Sequence, residues 1–338
     1  MKKRWILLIV LAVTVITIFV CNIFILPSGS VSIDNTKPKN EYNNYISSGN
    51  LIKLNGKLYY NYQKSVYNYG LIEISNKDSR RIYWDNIHWL GADVLLESIR
   101  TYDDKIIKKN RKTNKYEIYD FNKNEFVNDE FLNSFDNLKS DFQYYKNRMF
   151  FVSSDELSSG KIFCYCDKCK KVIVDKNVFK FYVANDKIYY IVANENSKSI
   201  SFELSYYDLN RNINEKIVDL NGNSCTDFFV NESFAIIGLQ TNKNDELKVV
   251  NLDKKTTKTI VENNTEINSI NVYKDNVYIS ENNGIKIINL INNSEKTVYK
   301  KYAKECYLFD DEWVYFVGKN SKLYRLNQIT NSLEKVFG

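Results

Sequence analysis

Asn185-Asp186-Lys187-Ile188-Tyr189-Tyr190 and the following Tyr206-Tyr207-Asp208-Leu209 are the stretch of sequence that decides the fold. The first segment is a turn containing Asn, Asp or Gly, followed by an apolar strand with tyrosine. The second is two apolar residues, one polar residue and another apolar residue. Aromatic and β-branched residues suit a pleated, half-buried surface, so the pair predicts two neighbouring strands of a β-sheet.

This pair of segments recurs along the whole chain in strict alternation. The tyrosine-type strand has seven copies, around Leu58, Val94, Met149, Ile188, Phe234, Val277 and Val314. Its partner follows each time, at 71–74, 118–121, 162–165, 206–209, 249–252, 287–290 and 323–326. The last copy shows four strands, at 306–309, 313–318, 322–327 and 333–337.

The spacing of the copies predicts the architecture. It averages about 43 residues, and four-stranded propeller blades take ~40–50 residues each. We therefore expect an all-β chain whose residues 47–338 form a seven-bladed β-propeller with four-stranded blades, in which stacking buries the faces of each sheet. Six or eight blades, an open sandwich and two smaller β domains remain alternatives.

The N-terminal residues predict a membrane anchor. Trp5–Leu26 contains no charged residue, and at ~1.5 Å per residue it is long enough to cross a ~30 Å hydrocarbon core as one transmembrane helix. Residues 1–4 contain three basic side chains, which predicts a cytoplasmic tail, a single-pass signal anchor in the cell membrane and an extracytoplasmic propeller. Residues 27–46 hold both prolines and are predicted to be a flexible linker. A cleaved signal peptide, or a lipoprotein modified at Cys21, would also fit this segment.

The repeat resembles a known group. A tyrosine-rich strand followed by apolar, apolar, Asp or Asn, and Leu is similar to bacterial exported β-propellers of unknown function, and to the YWTD propellers of low-density-lipoprotein receptors. The nearest echo of that motif is Tyr83-Trp84-Asp85. The resemblance implies a propeller over about residues 48–338. Because the motif is not intact, it carries over no ligand-binding residues.

A basic segment lies in the longest gap between copies, the 55 residues from Val94 to Met149. A possible contact loop there carries Lys105, Lys108, Lys109, Arg111 and Lys112. Clustered positive charge attracts anionic partners such as lipid headgroups or wall polymers, although a solvated loop explains the same residues. Later in the gap, Phe131, Leu132, Phe135 and Leu138 recur at helical spacing behind Asn128 and Asp129, which predicts a short helix.

Three cysteines lie close together in the third copy of the repeat, at Cys164, Cys166 and Cys169. Cys164 takes the place that Asp120, Asp208 and Asn251 hold in other copies. A Cys166–Cys169 disulfide across the turn, free thiols and a metal half-site are the three interpretations. Zinc usually takes four ligands, so we predict no metal site here.

The remaining sequence indicates a binding module more than an enzyme. The chain has one histidine, His88, and lacks the motifs of nucleotide-binding sites and of serine or metal hydrolases, so no catalytic residue and no cofactor are predicted. Half of the net charge of +6 lies in residues 2–4, which argues against nucleic-acid binding. We expect a binding or scaffold module of the bacterial cell envelope with a protein or envelope-polymer ligand. An envelope hydrolase or lyase with a carboxylate pair at the channel mouth is the alternative, and an extracellular sensor domain is a further one.

Overall fold

The computed structural model of the chain describes Val10, Leu11, Val13, Thr14 and residues 50–338. The second range has gaps at 55, 66–67, 76–78, 84–99, 103–104, 111–112, 135–141, 147, 154–159, 167–168, 197–198, 232, 242–244 and 264–266. Twenty-seven strands, a four-residue α-helix and a 3₁₀ turn follow from Leu51 onward in these residues. The chain is therefore all-β, as the sequence predicts.

The prediction of membrane localisation is wrong. In the parts of the chain that the structure describes, no helix is both long enough and apolar enough to span a membrane. Of the predicted anchor Trp5–Leu26, four residues are described, and they are helical. Its remaining residues, the predicted tail and the predicted linker 27–46 lie outside the described residues.

The chain divides into two compact units, and the first comprises residues 1–128 and 302–338. It contains three four-stranded antiparallel sheets, A, B and F, each a meander in chain order. Sheet A is β1 (Leu51–Leu54), β2 (Lys57–Ser65), β3 (Asn68–Ile74) and β4 (Ser79–Tyr83). Sheet B is β5 (Arg100–Tyr102), β6 (Lys105–Asn110), β7 (Lys115–Asp120) and β8 (Glu125–Asn128).

The second unit, residues 129–301, begins with helix α1 (Glu130–Asn133) and contains sheets C, D and E. Sheet C has seven strands: β9 (Phe142–Tyr145), β10 (Arg148–Ser153), β11 (Gly160–Cys166), β12 (Cys169–Ala184), β13 (Lys187–Asn196), β14 (Ser199–Asp208) and β15 (Ile213–Asn221). Sheet D is β16 (Ser224–Val230), β17 (Phe234–Gln240), β18 (Asp245–Asn251) and β19 (Thr256–Asn263). Sheet E is β20 (Ile267–Tyr273), β21 (Asn276–Glu281), β22 (Gly284–Asn289) and β23 (Glu295–Tyr299).

Sheet F of the first unit completes the set, with β24 (Glu305–Leu308), β25 (Trp313–Val317), β26 (Leu323–Asn327) and β27 (Leu333–Phe337). These bounds agree with the predicted last copy to within one residue at each end. The described residues thus form six sheets, and seven separate blades are not seen. The difference arises at β12, which is 16 residues long and pairs with β11 up to Val178 and with β13 from Val178 onward.

Burial falls from the first strand of a sheet to the last. Every residue of β1 and of β24 is buried, whereas β23 and β27 each begin with three exposed residues. In the first unit, Leu51 and Tyr60 of sheet A share an apolar cluster with Tyr307 and Phe337 of sheet F. The first and last sheets of the chain therefore meet through side-chain packing, and β1 pairs with β2 rather than adding to sheet F.

The turns between third and fourth strands share one design. The Asp or Asn at the end of the third strand accepts hydrogen bonds from backbone N–H groups two or three residues later, at Asp120, Asp208, Asn251, Asn289 and Asn327. The residue four positions on has a left-handed backbone in every case, at Asn124, Asn212, Lys255, Asn293 and Asn331. Asn tolerates this conformation because its short polar side chain bonds locally.

Two further predictions concern the 55 residues between Val94 and Met149. The short helix is confirmed at Glu130–Asn133, where the Asp129 side chain accepts a hydrogen bond from the Leu132 N–H; Phe135 and Leu138 lie outside the described residues. Strands β5 to β8 of sheet B occupy residues 100–128 of the same gap. The second strand of sheet B is β6, so the proposed copy at Val94, also outside the described residues, was misassigned.

Candidate functional site

The predicted thiol cluster lies on β11 and at the start of β12. Cys164 and Cys166 face the same apolar core, and the Cys164 thiol is not part of a disulfide. Burial, with the neighbouring Cys166 thiol second, raises the pKa of Cys164 to about 12, which makes it a poor nucleophile at neutral pH. Cys169 is paired with Cys166 across the turn at the Cα level, but its side chain is outside what the structure describes, so the redox state of the cluster stays a prediction.

The strand ladder corrects the position assigned to Cys164. Arg148 and Lys187 occupy equivalent positions, because Arg148 pairs with Tyr145 in the same way as Lys187 pairs with Ala184. Lys187 also pairs with Asp208 on the following strand. The residue that pairs with Arg148 on its following strand therefore corresponds to Asp208. Since Met149 pairs with Tyr165, that residue is Cys166. The sequence alignment was therefore shifted by two residues at this copy.

Three of the five predicted basic residues lie in a strand. Lys105, Lys108 and Lys109 belong to β6, and Arg111 and Lys112 lie outside the described residues. Because successive strand residues alternate between faces, positions 105 and 109 belong to one face of sheet B and position 108 to the other.

The structure reveals a repeated polar position that the sequence reasoning missed. In each first strand, one residue pairs with the residue that begins the apolar run of the second strand. The polar position lies three residues before that first-strand residue. It is occupied by Asn50, Lys180, Asp227, Ser269 and Glu305. We call these five residues the first-strand polar positions. Buried polar side chains also occur elsewhere on first strands, at Lys53, Gln143 and Asn271, but these five residues share one register in five strand groups, which favours a role beyond packing.

In the first unit, two of these positions are in direct contact. Asn50 Nδ2 donates to Glu305 Oε1 at 3.0 Å, which joins sheet A to sheet F. Tyr307 donates its hydroxyl to Glu305 Oε2 at 2.5 Å, and Lys304 Nζ lies 2.9 Å from Oε1. The carboxylate of Glu305, which is 4% exposed, is therefore fully engaged within the protein, as a buried charge must be.

In the second unit, Lys180 lies on β12 and Asp227 on the neighbouring strand β16, close enough for the positive charge of Lys180 to act on the carboxyl group. Burial raises the pKa of Asp227, against a hydrogen bond from Thr226 and the positive charge of Lys180. The buried thiol of Cys225, which donates to the Asp227 backbone oxygen at 3.6 Å, has its pKa raised to about 12, chiefly by burial. A perturbed carboxyl group beside a specific charge marks a candidate functional site.

A β-bulge and a glycine shape this site. The ladder between β16 and β17 shifts between Cys225 and Asp227, which leaves Thr226 as the extra, exposed residue. Gly238 of β17 lies directly beneath, where a Cβ atom would come 2.5 Å from Thr226 Oγ1 and 3.1 Å from Asp227 Oδ2. Equivalent bulges occur at Phe179 and Asn268 on the first strands β12 and β20. Bulges redirect side chains, and these three precede Lys180, Asp227 and Ser269.

The chemistry available here is hydrogen bonding and charge recognition. In the described part of the chain, no cluster of three or more His, Cys, Asp or Glu side chains could hold a metal ion. His88 lies outside the described residues. A sequence signal for the site existed in the polar residue that interrupts each apolar first strand, but only the ladder shows that these residues share one register.

Comparisons with known proteins identify the fold. No protein-family model matches the chain, and no curated protein matches it by sequence. The extracellular domain of the putative one component system BT4673 from B. thetaiotaomicron is similar, with a TM-score of 0.54 and 14% identity over 90% of this chain and 44% of that one. A Mycobacterium tuberculosis puromycin-hydrolyzing peptidase has a TM-score of 0.58 and 9% identity, over 92% of this chain and 56% of that one. A prolyl endopeptidase has a TM-score of 0.57 and 10% identity, over 87% and 50%.

These similarities establish a β-propeller-like all-β fold and nothing about activity, since the identities are low. The chain spans about half the length of these solved proteins. The narrower resemblance to YWTD propellers of low-density-lipoprotein receptors stays a prediction.

Proposed function

We propose that the chain is a seven-bladed β-propeller that serves as a binding module and holds its ligand in the second unit, at the first-strand polar positions Lys180 and Asp227. The blade count follows if β12 is read as two strands, because its first half then completes one four-stranded blade and its second half begins the next. Sheets A, B, D, E and F supply the other five blades. The first strands would then be the inner strands, which fits their burial.

Hydrogen bonds and electrostatic interactions between first strands of different sheets or strand groups support this proposal. Asn50 contacts Glu305 in one unit, and Lys180 acts on Asp227 in the other. Within sheet C, Gln143 of β9 donates to the Phe181 oxygen at 3.1 Å and accepts from the Val183 N–H at 2.7 Å, both in β12. Inner strands of adjacent blades are the neighbours expected around a propeller axis, where ligands bind near the strand-connecting loops.

We favour binding over catalysis because of what faces the perturbed carboxyl group. A glycoside hydrolase or lyase needs a second carboxyl group roughly 5–10 Å away, whereas the charged group acting on Asp227 is the ammonium of Lys180. The peptidase activities named above belong to those proteins. We propose a protein ligand, recognised through polar contacts at this end of the sheets.

Site-specific photocrosslinking in the cells that make the protein tests the proposal. A photoreactive amino acid at exposed Thr226 probes the polar end of sheet D, and one at exposed Lys254 probes the opposite end of the same sheet. We expect one reproducible crosslinked protein from position 226 that position 254 does not give. Crosslinks from 254 alone, or no reproducible product from 226, would overturn the proposal.

A further inference from the structure

The dipeptide Asn-Gly occurs three times in the chain, at 55–56, 221–222 and 283–284. An asparagine in this dipeptide can lose ammonia, because the following backbone nitrogen can attack its side-chain carbonyl carbon. Glycine favours the attack, since it has no Cβ atom to shield its nitrogen and its backbone is the least restricted. The attack also needs local movement of the backbone, so the folded structure decides which pair reacts.

Asn221 has the surroundings that this reaction needs. It is exposed and is the last residue of β15, and β15 is the end strand of sheet C. Gly222 follows in the connection between β15 and β16. Because the ends of strands at a sheet edge open at a small fraction of the free energy of global unfolding, the Asn221 side chain can reach the Gly222 nitrogen.

Asn283 provides a comparison within the same unit. It is exposed too, but Gly284 is buried and begins β22, where it pairs with Glu281 of β21. The backbone of Gly284 has φ of +156°, and a Cβ atom there would collide with the backbone oxygen of Tyr299. Movement of the Gly284 nitrogen therefore requires the opening of a pair between two central strands of sheet E.

We propose that Asn221 is a site of spontaneous deamidation, which adds a negative charge at the end of sheet D that carries Thr226 and Asp227. The Gly222 nitrogen forms a bond to the Asn221 side-chain carbonyl carbon and loses its proton, and the side-chain amide leaves as ammonia. Water then opens the five-membered imide at either of its carbonyl groups. Aspartate or isoaspartate remains at position 221, and water is the only other reactant.

The connection that contains Asn221 leads directly into the candidate site. The Asn223 N–H donates to the Gln240 oxygen at 2.7 Å, and Ser224 pairs with Gln240 at the start of β16. The same strand then reaches the bulge at Thr226. Isoaspartate would also lengthen the backbone by a methylene group beside the pair between Asn221 and Ser201. Deamidation does not require the proposed binding function, so either can fail alone.

Peptide mapping of the aged full chain tests the inference. The purified protein would be incubated at mildly alkaline pH for increasing times, digested with trypsin and analysed by mass spectrometry, with electron-transfer fragmentation to distinguish isoaspartate from aspartate. Asn221 and Asn283 fall in different tryptic peptides, 217–243 and 275–286. A digest at time zero corrects for conversion during sample handling.

The comparison between the two positions gives the expected result. Asn221 should convert to both acids at least about 10-fold faster than Asn283, which corresponds to about 1.4 kcal/mol of opening free energy at Gly284. Equal rates at the two positions, or faster conversion of Asn283, would overturn the inference. Asn55 lies outside the described residues and does not enter the comparison.

Two controls separate the effect of the structure from that of the dipeptide. In the chain unfolded by urea, Asn221 and Asn283 should convert at similar rates, because both are followed by glycine. A difference that persisted there would remove the structural explanation. In the folded chain, Gly222→Ala should slow conversion at Asn221 several-fold and leave Asn283 unchanged, because the added methyl group shields the attacking nitrogen. A Gly222→Ala variant that is folded by circular dichroism and converts Asn221 at the unmodified rate would rule out this route.

Discussion

Gly238→Ala tests whether the bulge at Thr226 and the carboxyl group of Asp227 are held in place by the missing side chain beneath them. The added Cβ would lie 2.5 Å from Thr226 Oγ1, 3.1 Å from Asp227 Oδ2 and 3.2 Å from Asp227 Cβ. Real Cβ atoms essentially never approach within 3.0 Å of such neighbours. Thr226 must therefore rotate or the bulge must shift, and either movement disturbs the hydrogen bond between Thr226 and Asp227.

The magnitude follows from two opposing effects. Overpacking a filled site costs about 1–3 kcal/mol. Replacing glycine by alanine in a strand recovers about 0.5–1 kcal/mol, because the unfolded chain loses freedom. We expect Gly238→Ala to lower the free energy of unfolding by about 1–2 kcal/mol. The variant should also bind less of whatever ligand the Lys180–Asp227 site takes.

Urea unfolding followed by circular dichroism measures the change, with two glycines as references. Gly222→Ala, in the connection just before sheet D, places its Cβ 3.3 Å from Leu239 Cβ and 3.5 Å from the Gln240 oxygen, and should change stability by less than about 0.5 kcal/mol. At Gly284 the Cβ would collide with the backbone oxygen of Tyr299, and φ is +156°, so Gly284→Ala should be the most destabilising of the three. A Gly238→Ala variant as stable as Gly222→Ala would refute the reasoning.

Three other predictions concern turns, pH and thiols. Asn327→Ala should cost about 1–3 kcal/mol in urea unfolding, because Asn327 Oδ1 accepts from two turn N–H groups at 2.9 and 2.8 Å; a cost below about 0.5 kcal/mol would contradict the role of the turn. Burial acts to raise the pKa of Glu73, but hydrogen bonds from Arg80 and Lys57 outweigh it and lower the pKa below 4.5. Its stabilising contribution is therefore complete above pH 4.5 and is lost as the pH falls through the lowered pKa, so Glu73→Gln should flatten the acid limb of stability against pH; an unchanged acid limb would disprove this. Iodoacetamide should alkylate half-buried Cys166 before buried Cys164 in the folded chain, as mass spectrometry can measure; protection of Cys166 until reductant is added would indicate the bridge to Cys169 instead.

The strands were the most predictable part of the molecule. All seven predicted partner strands coincide with observed strands, four of them ending one residue beyond the observed strand, and six of the seven tyrosine-type strands do so as well. Apolar side chains buried on both faces of a sheet produce runs such as Val249-Val250 that few other structures produce. The exception, near Val94, shows the limit of pattern matching, because β6 is the true second strand and carries lysine at Lys105, Lys108 and Lys109 around its two isoleucines.

The candidate site was much less predictable. Single polar residues in first strands, such as Asp227, do not mark a site by themselves, since any strand holds polar residues at its ends. The shift at Cys164 has the same origin, because a two-residue slip in register preserves the apolar alternation and leaves no trace in the sequence. Gly238 belongs to no sequence motif. Its importance follows from the short distances between its position and the atoms of Thr226 and Asp227.

The amino-acid sequence by itself determined the elements of this protein, namely repeated strands with tight Asx turns, because side-chain alternation and turn chemistry act over a few residues. The tertiary structure alone decided how those elements are joined. It made β12 continuous across two strand groups, brought Asn50 to Glu305 across 255 positions, and placed Lys180 close enough to Asp227 to lower the pKa of that carboxyl group. These contacts depend on which strands pair and which sheets stack, and that is fixed by long-range burial rather than by neighbouring residues.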